Sequence, residues 1–319
     1  MDICTGQKRL TRRQFIQMMA AAGLGTALVA CGPERASVPT EVPETPGAAS
    51  GSAYLSAARG SDPKAITRAA VAAIGGIEHF VKGDDDVIIK PNICHDYYTY
   101  EYAATTNPEV VAGLVELCLG AGARRVRVMD MPFGGKPETA YARSGIAEAV
   151  SSAGGAMEVM NSAKYRQTEI PQGQDISAWP VSQDVLLADV VINVPIAKHH
   201  SLARLTLGGK NLLGIVQKPR AFHINLGQRI ADLVSLVRPT LTVVDAVRIL
   251  VAHGPTGGSL DDVQLTNTVI ASHDIVAADA YAATLFGLTG KDIAYVKAAA
   301  DMELGTLDLA NVDVEEIEL

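Results

Sequence analysis

Residues 190–216 read VVINVPIAKHHSLARLTLGGKNLLGIV. The first five, Val190–Val194, form a nearly continuous apolar run, the pattern of a strand covered on both faces. Such strands belong to sheets with helices on either side, and the loop leaving the carboxyl end of one is where open α/β sheets bind ligands. Here that end delivers Lys198, His199, His200, Arg204, Gly208, Gly209 and Lys210 in quick succession. The density of polar groups places the chemistry without naming a reaction.

Outward from this stretch, short apolar runs alternate with longer amphipathic ones, the pattern of βα units around a mainly parallel sheet. The spacing predicts strands over Val87–Lys90, Arg125–Asp130, Val190–Val194, Leu241–Asp245 and Thr268–Ser272. Helices are predicted over Pro63–Ile74, Pro108–Leu119, Pro137–Ala153, Ile224–Val237 and Ile275–Phe286. Asn107 is placed to cap the helix that Pro108 opens, and Gly120 with Gly122 to close it. The expected fold is α/β: a mainly parallel sheet with flanking helices, an open α/β sandwich built as one domain or two lobes. Hydrophobic residues make up 48% and aromatics only 5%, which suits a core of Ala, Val, Ile and Leu.

Three segments are expected. Thr11-Arg12-Arg13-Gln14-Phe15-Ile16 matches a twin-arginine export signature, followed by an apolar run, Met18–Ala30, too short to span a bilayer stably. Leu28-Val29-Ala30-Cys31 resembles a lipobox, so residues 1–30 read as a signal peptide and Cys31 as the lipidated new N-terminus. Residues 31–53 hold Pro33, Pro39, Pro43 and Pro46 among small polar residues and read as a disordered tether. Residues 54–319 remain for a single α/β domain. The implied location is the outer face of the cytoplasmic membrane, reached through the twin-arginine translocase and held by the lipid.

The chain carries a net charge of −8. Losing residues 1–30 removes four basic residues against one acid, taking the mature protein to about −11. An acidic body argues against nucleic acid and against electrostatic membrane binding. Of four cysteines, Cys94 and Cys118 remain for the domain. No zinc or iron–sulfur spacing is present. Cys118 falls on the apolar face of Val111, Leu114, Val115 and Leu119 and reads as a buried hydrophobe. An oxidising compartment would permit a Cys94–Cys118 disulfide, and the sequence leaves its geometry open.

Two phosphate motifs fail. A P-loop ending at Gly209-Lys210 needs glycine at 204 and a hydroxyl residue at 211, where Arg204 and Asn211 stand. Gly120-Ala121-Gly122 follows a helix and precedes a strand, the reverse of a dinucleotide fingerprint. What remains are polar residues at strand ends. Lys90 ends a buried run and needs an anion or carboxylate, or else snorkels to the sheet edge; Asn92, Cys94, His95 and Asp96 follow it. Gly208, Gly209, Lys210 and Asn211 open a helical run whose bare N–H groups suit an anion, or form a plain glycine turn. Adjacent His199 and His200 cannot face the same way, and which one enters the cleft is undecided. With His223 they offer a metal set, which His253 from a later loop could join. Asp245 reads as a general base, a metal ligand or a lysine holder. Asp274 and Asp279 read as further acidic candidates, Asp274 alternatively as a helix N-cap, and His253–Gly258 as a closing loop or a surface turn.

Several longer pieces carry a family resemblance: VIIKPN at Val87–Asn92, TNPEVV at Thr106–Val111, VINVPIAKHHS at Val191–Ser201, TLGGKNLLGIV at Thr206–Val216, LTVVDAV at Leu241–Val247, HGPTGG at His253–Gly258 and HDIVAADAYAATLFG at His273–Gly287. With His223, they make the chain resemble the family called domain of unknown function 362, over Val87–Gly305. Relatives in that family carry a four-cysteine ferredoxin segment that is missing here, so an iron–sulfur cluster is not inherited. The resemblance implies no settled reaction. A shorter likeness, His199 or His200 with Gly208, Gly209 and Lys210, is to the nickel-pincer lactate racemase group.

Export through the twin-arginine route carries folded proteins and favours a bound metal or metal-containing cofactor without requiring one. The leading expectation is an enzyme acting on a small anion. Lys90, Lys198 and Lys210 would neutralise it, with Asn92, Gly208, Gly209 and Asn211 in the binding set. Lys198, His199, His200 and Asp245 form the catalytic set, and His199, His200 and His223 the metal set. The alternatives are a non-catalytic small-anion-binding lipoprotein and an assembly factor.

Overall fold

The computed structural model describes residues 53–319. The export signature, Cys31 and most of the tether lie outside the described residues. Ala53, expected as the last tether residue, is already packed, its N–H bonded to the Ala73 carbonyl at 3.0 Å.

In chain order the elements are β1 (Leu55–Arg59), α1 (Pro63–Ala73), β2 (Asp86–Pro91), α2 (Pro108–Gly120), β3 (Arg125–Val128), α3 (Pro137–Arg143), α4 (Ile146–Ser152) and β4 (Ala156–Met157). A hairpin of β5 (Tyr165–Glu169) and β6 (Ala178–Ser182) leads to β7 (Val190–Val194), β8 (Ile196–His200), β9 (Arg204–Thr206) and α5 (Gly208–Asn211). Then follow α6 (Leu226–Val237), β10 (Leu241–Leu250), β11 (Val263–Ser272), α7 (Ile275–Thr284), α8 (Ala294–Asp301) and β12 (Val314–Glu318).

One ten-stranded sheet runs β12-β1-β11-β10-β7-β2-β3-β4, with β8 beside β10 and β9 beside β8. The run β10-β7-β2-β3-β4 is parallel, while β11 lies antiparallel to both β10 and β1. This is the mainly parallel α/β sandwich expected. Alternate residues show why the strands read as continuous apolar runs. Ile88, Val191, Val244 and Ile270 join one core with helices α6, α7 and α8. Val87, Ile89, Val190, Ile192, Val243 and Val269 join the opposite core with α1, α2 and α4. A strand buried on both faces contributes roughly 1.5–3 kcal/mol per Val, Leu or Ile side chain and needs apolar residues at every position.

Local signals set several boundaries. Asn107 caps α2 by accepting from the Glu109 N–H at 2.9 Å, with Pro108 in the first turn, and Gly122 takes φ +89° behind it. The helix predicted over Pro137–Ala153 is two, because Gly145 at φ +78° breaks it. The helix predicted from Ile224 begins at Leu226, after a 3-10 segment. β10 continues beyond Asp245 to Leu250, and β11 begins at Val263 rather than Thr268. Cys94 and Cys118 are free, buried thiols, and burial pushes Cys118 up to about 12.

Asp274 is the N-cap of α7. Its Oδ1 accepts from the Val276 and Ala277 N–H groups at 2.7 and 3.0 Å, and its Oδ2 accepts from the Tyr54 hydroxyl and the Thr306 N–H at 2.7 and 2.8 Å. Asp274→Ala therefore removes a cap and leaves two further donors unpaired, a loss of about 2–3 kcal/mol. A urea titration should show a lower midpoint at unchanged slope. A midpoint equal to wild type would mean that these bonds contribute nothing net.

Candidate functional site

β2 and β7 pair in register with Lys90 opposite Asn193, so the polar residues ending the two strands lie side by side. The Lys90 ammonium is 1% exposed. It meets Asp130 Oδ1 at 2.7 Å, the Pro91 carbonyl at 2.8 Å and Asn211 Oδ1 at 2.9 Å. Asp130 also accepts from the Ile93 N–H at 2.7 Å. Burial pushes Lys90 down and Asp130 up, both toward their neutral forms. Their mutual contact and the surrounding hydrogen bonds hold the charged pair against that pressure. Gly214 is required at this point, since a Cβ there would lie 2.1 Å from Asp130 Oδ1 and 2.7 Å from Lys90 Nζ.

Asn211 is the hub of the network. Its Oδ1 accepts from Lys90 and, at 3.0 Å, from Asn92 Nδ2; its Nδ2 donates to Asn193 Oδ1 at 2.9 Å and to the Lys90 carbonyl at 3.2 Å. Asn92 Oδ1 accepts from Lys198 Nζ at 3.0 Å, and Lys198 donates again to the Ala104 carbonyl at 2.6 Å. Thr106 Oγ1 fixes this corner, accepting from the Asn92 N–H and donating to the Val194 carbonyl. Five separated segments thus share one buried polar network.

Lys210 stands at the edge of this network, half-buried. No hydrogen bond or ion pair reaches its ammonium among the described residues. Burial and the Lys198 charge push it down to about 8, with Cys94 pulling the other way. His200 is buried, its Nδ1 accepting from the Leu202 and Ala203 N–H groups at 3.1 and 3.2 Å. That geometry assigns the tautomer with the proton on Nε2. Burial, then Lys210 and Lys198, push its pKa down to about 3, so the ring is neutral at pH 7. The exposed His223 ring lies 6.4 Å from it, centroid to centroid, with its Nδ1 at 3.0 Å from the Arg220 carbonyl.

Of the expected site residues, Lys90, Asn92, Lys198, Lys210, Asn211 and His200 are brought together, with His223 at the rim. Others sit elsewhere, for physical reasons. Strand alternation in β8 turns His199 away from His200, and its Nδ1 accepts from the Gly254 N–H at 3.1 Å. The helix-start N–H groups of Gly208 and Gly209 already bind an anion, the Asp279 carboxylate, at 2.6 and 2.9 Å. Burial raises Asp279 to about 7 against the pull of those two bonds. Lys90 is neutralised by Asp130 and is not a free cation. Asp245 accepts from the Asn107 and Val247 N–H groups at 2.7 and 3.0 Å and clamps the α2 entry; burial raises it to about 6.

The metal set of His199, His200 and His223 does not assemble, since only the last two rings face each other. No group of three or more His, Cys, Asp or Glu side chains suited to a metal occurs among the described residues. A resident ion would find two imidazoles at most, so the residues do not fit a protein-ligated metal. His253 is exposed and pairs with Asp262 at 2.9 Å. The loop it opens is tied down, with Cys94 Sγ at 3.6 Å from the Pro255 carbonyl and His95 Nε2 at 3.1 Å from the Thr256 carbonyl.

Asp130 was not singled out in the sequence, although RVRVMD ends one strand as VIIK ends its neighbour. Asn193 and Thr106 were overlooked as well, because short amide and hydroxyl residues at strand ends carry no distinctive spacing.

A family model described as Domain of unknown function (DUF362) matches residues 87–284. Among curated proteins, a thylakoid-associated protein of Synechocystis sp. is 28% identical over 230 residues, covering 67% of each chain. Among solved structures, the apoprotein of lactate racemase from Thermoanaerobacterium thermosaccharolyticum aligns over 77% of this chain at 14% identity with a TM-score of 0.44. A Thermotoga maritima protein aligns over 77% at 12% identity and 0.35. The chain spans 56% and 60% of those two structures, less than two thirds of either. No described helix is long and apolar enough to cross a membrane.

Proposed function

The chain belongs to the family described as Domain of unknown function (DUF362), and on that premise we propose that its strand-end cluster is the site of an enzyme acting on a small anion. One observation carries this reading: Lys198 and Lys210 lie close enough for the charge of one to bear on the other, and no salt bridge reaches either among the described residues. Lys198 donates to Asn92 Oδ1 and the Ala104 carbonyl and lies beside the Cys94 thiol; burial pushes it down, with Cys94 and Asp130 pulling the other way, and Lys210 has no hydrogen-bonding partner among the described residues. Positive charge gathered out of water without a salt-bridge partner favours an external anion. Lys90, by contrast, is already matched by Asp130 and serves to hold Asn211 and Asn92 in place.

Neutral His200 offers its Nε2–H as a hydrogen-bond donor to the bound anion. Lys210, with a pKa of about 8, is matched to give and take a proton near neutral pH. The chemistry these groups support is proton transfer next to an anionic group, as in an isomerase or racemase. No step is assigned to a metal, because the protein supplies no closed ligand set for one. Attachment through a lipid at Cys31, at the outer face of the membrane, is the location we propose. It rests on the twin-arginine and lipobox patterns and accords with a relative associated with the thylakoid.

Melting the full chain against phosphate, sulfate and a panel of small carboxylates tests the site. A binding anion should raise the melting temperature as its concentration climbs above Kd. The effect should be strong at pH 7 and fade above about pH 8, because Lys210 must be protonated to hold the anion. A panel with no effect at either pH refutes the site. For an anion that binds, deuterium uptake from heavy water at its acidic C–H position distinguishes turnover from mere binding or an assembly role.

A further inference from the structure

A cavity opens at the far rim of the sheet. Lys90 lies near the carboxyl end of β2, whereas Asp86 at its start lines the new cavity, roughly 13 Å away along the strand. The cavity encloses about 730 Å³, within the range of small-molecule sites. Arg124, Arg125, Arg127, Lys164 and Arg166 line it against Asp86, Asp184 and Asp189. Basic groups outnumber acids here, although the chain as a whole carries −8.

Two of the three acids are paired with cations. Asp86 is gripped by Arg125 at 2.7 and 2.6 Å and by Arg127 at 3.1 and 2.8 Å. Asp184 Oδ1 takes Lys164 at 2.9 Å and Arg127 at 3.3 Å, and Asp189 accepts from the Asp86 N–H at 3.0 Å. Arg127 is 4% exposed and anchors this lattice from beneath, while Arg125 and Lys164 reach out to solvent from it. Two arginines are left over. Arg166 donates only to the Ala163 and Tyr165 carbonyls, and no carboxylate reaches the Arg124 guanidinium among the described residues. A purely structural lattice gives each cation an acid, whereas here two forked, permanently charged donors face an open cavity without one.

We propose that this cavity is a binding site for a multiply charged phosphate-bearing anion, held by Arg124 and Arg166 over the floor formed by Arg125, Arg127 and Lys164. Guanidinium forks match phosphate oxygens in pairs, and several at once select multiple charges over a single carboxylate. The site is separate from the Lys198–Lys210 recess and does not depend on it. The same chemistry is found in a soluble polyphosphate and in a lipid phosphate headgroup, and the test separates them.

Inorganic triphosphate is titrated calorimetrically into the full chain and into Arg124→Ala/Arg166→Ala, two exposed positions whose loss should leave the thermal melt intact. In parallel, each protein is sedimented with phosphatidic acid vesicles, whose phosphomonoester headgroup can carry two charges, and with phosphatidylcholine vesicles to subtract binding through the lipid anchor. Triphosphate binding weakened at least about tenfold in the double variant, and untouched by Lys210→Met, supports a soluble ligand. Loss confined to the excess binding on phosphatidic acid supports a headgroup. Failure of both probes to bind, or equal binding by wild type and double variant, overturns the proposal.

Discussion

Lys210→Met should make the ligand-free protein more stable at pH 7 and at the same time abolish anion-induced stabilisation. The sign follows from linkage. Lysine in an unfolded chain titrates near 10.4, whereas burial and Lys198 bring folded Lys210 down to about 8. Between those values the unfolded state binds more protons, so wild-type stability rises with pH across that window. Below about pH 8 the folded state carries the full destabilisation of an unmatched ammonium. Methionine keeps the stem and removes the charge, so the variant should gain roughly 1–3 kcal/mol at pH 7. The gain should shrink as pH climbs from about 8 toward 10.4. Melts at pH 7 and 10, with and without the best anion, measure both effects. A variant less stable than wild type at pH 7 would show that Lys210 serves the fold, and the anion site would lose its main support.

Lys90→Met should do the opposite. It strands the Asp130 carboxylate in a buried site and also removes one of the two donors on Asn211 Oδ1, a loss of about 3–5 kcal/mol. Asp130→Leu alone should cost a similar amount by stranding Lys90. The double variant Lys90→Met/Asp130→Leu should recover much of the loss, because two apolar side chains replace a desolvated pair. Chemical denaturation of the four proteins closes the cycle. Additive losses in the double variant would mean that the 2.7 Å contact between the two groups contributes little coupling.

The two cases show which parts of the molecule were legible in the sequence. Strands β2, β7 and β10 declared themselves because burial on both faces leaves no polar alternation to misread. β1 and β12 did not, since LSAAR is small and mixed and VEEIE lies at an edge with mostly exposed side chains. The KHH stretch read as a loop, yet it is a strand paired with β9, and only that pairing decides which histidine faces Lys210. Convergence of Lys90, Asn92, Lys198 and Asn211 followed from strand-end logic, because a parallel sheet aligns its carboxyl ends. The partner choices did not follow. Asp279 lies some 70 residues beyond Gly208 and takes the N–H groups an outside anion was expected to use. Asp130 similarly claims Lys90. Such pairings are set by tertiary packing, and no local pattern announces them.

The Asn211 hub ties together chain segments that a ribosome emits far apart in time, from Lys90 through Asn193 to Asn211 itself, and Asp279 must still arrive to seat Gly208 and Gly209. No fragment that stops short of Asn211 contains the site, because its polar network is drawn from Lys90 through to Asn211. On the proposed reading, anion capture would double as a check on synthesis: a nascent or C-terminally clipped molecule that has lost Asp279 should be inert toward the anion.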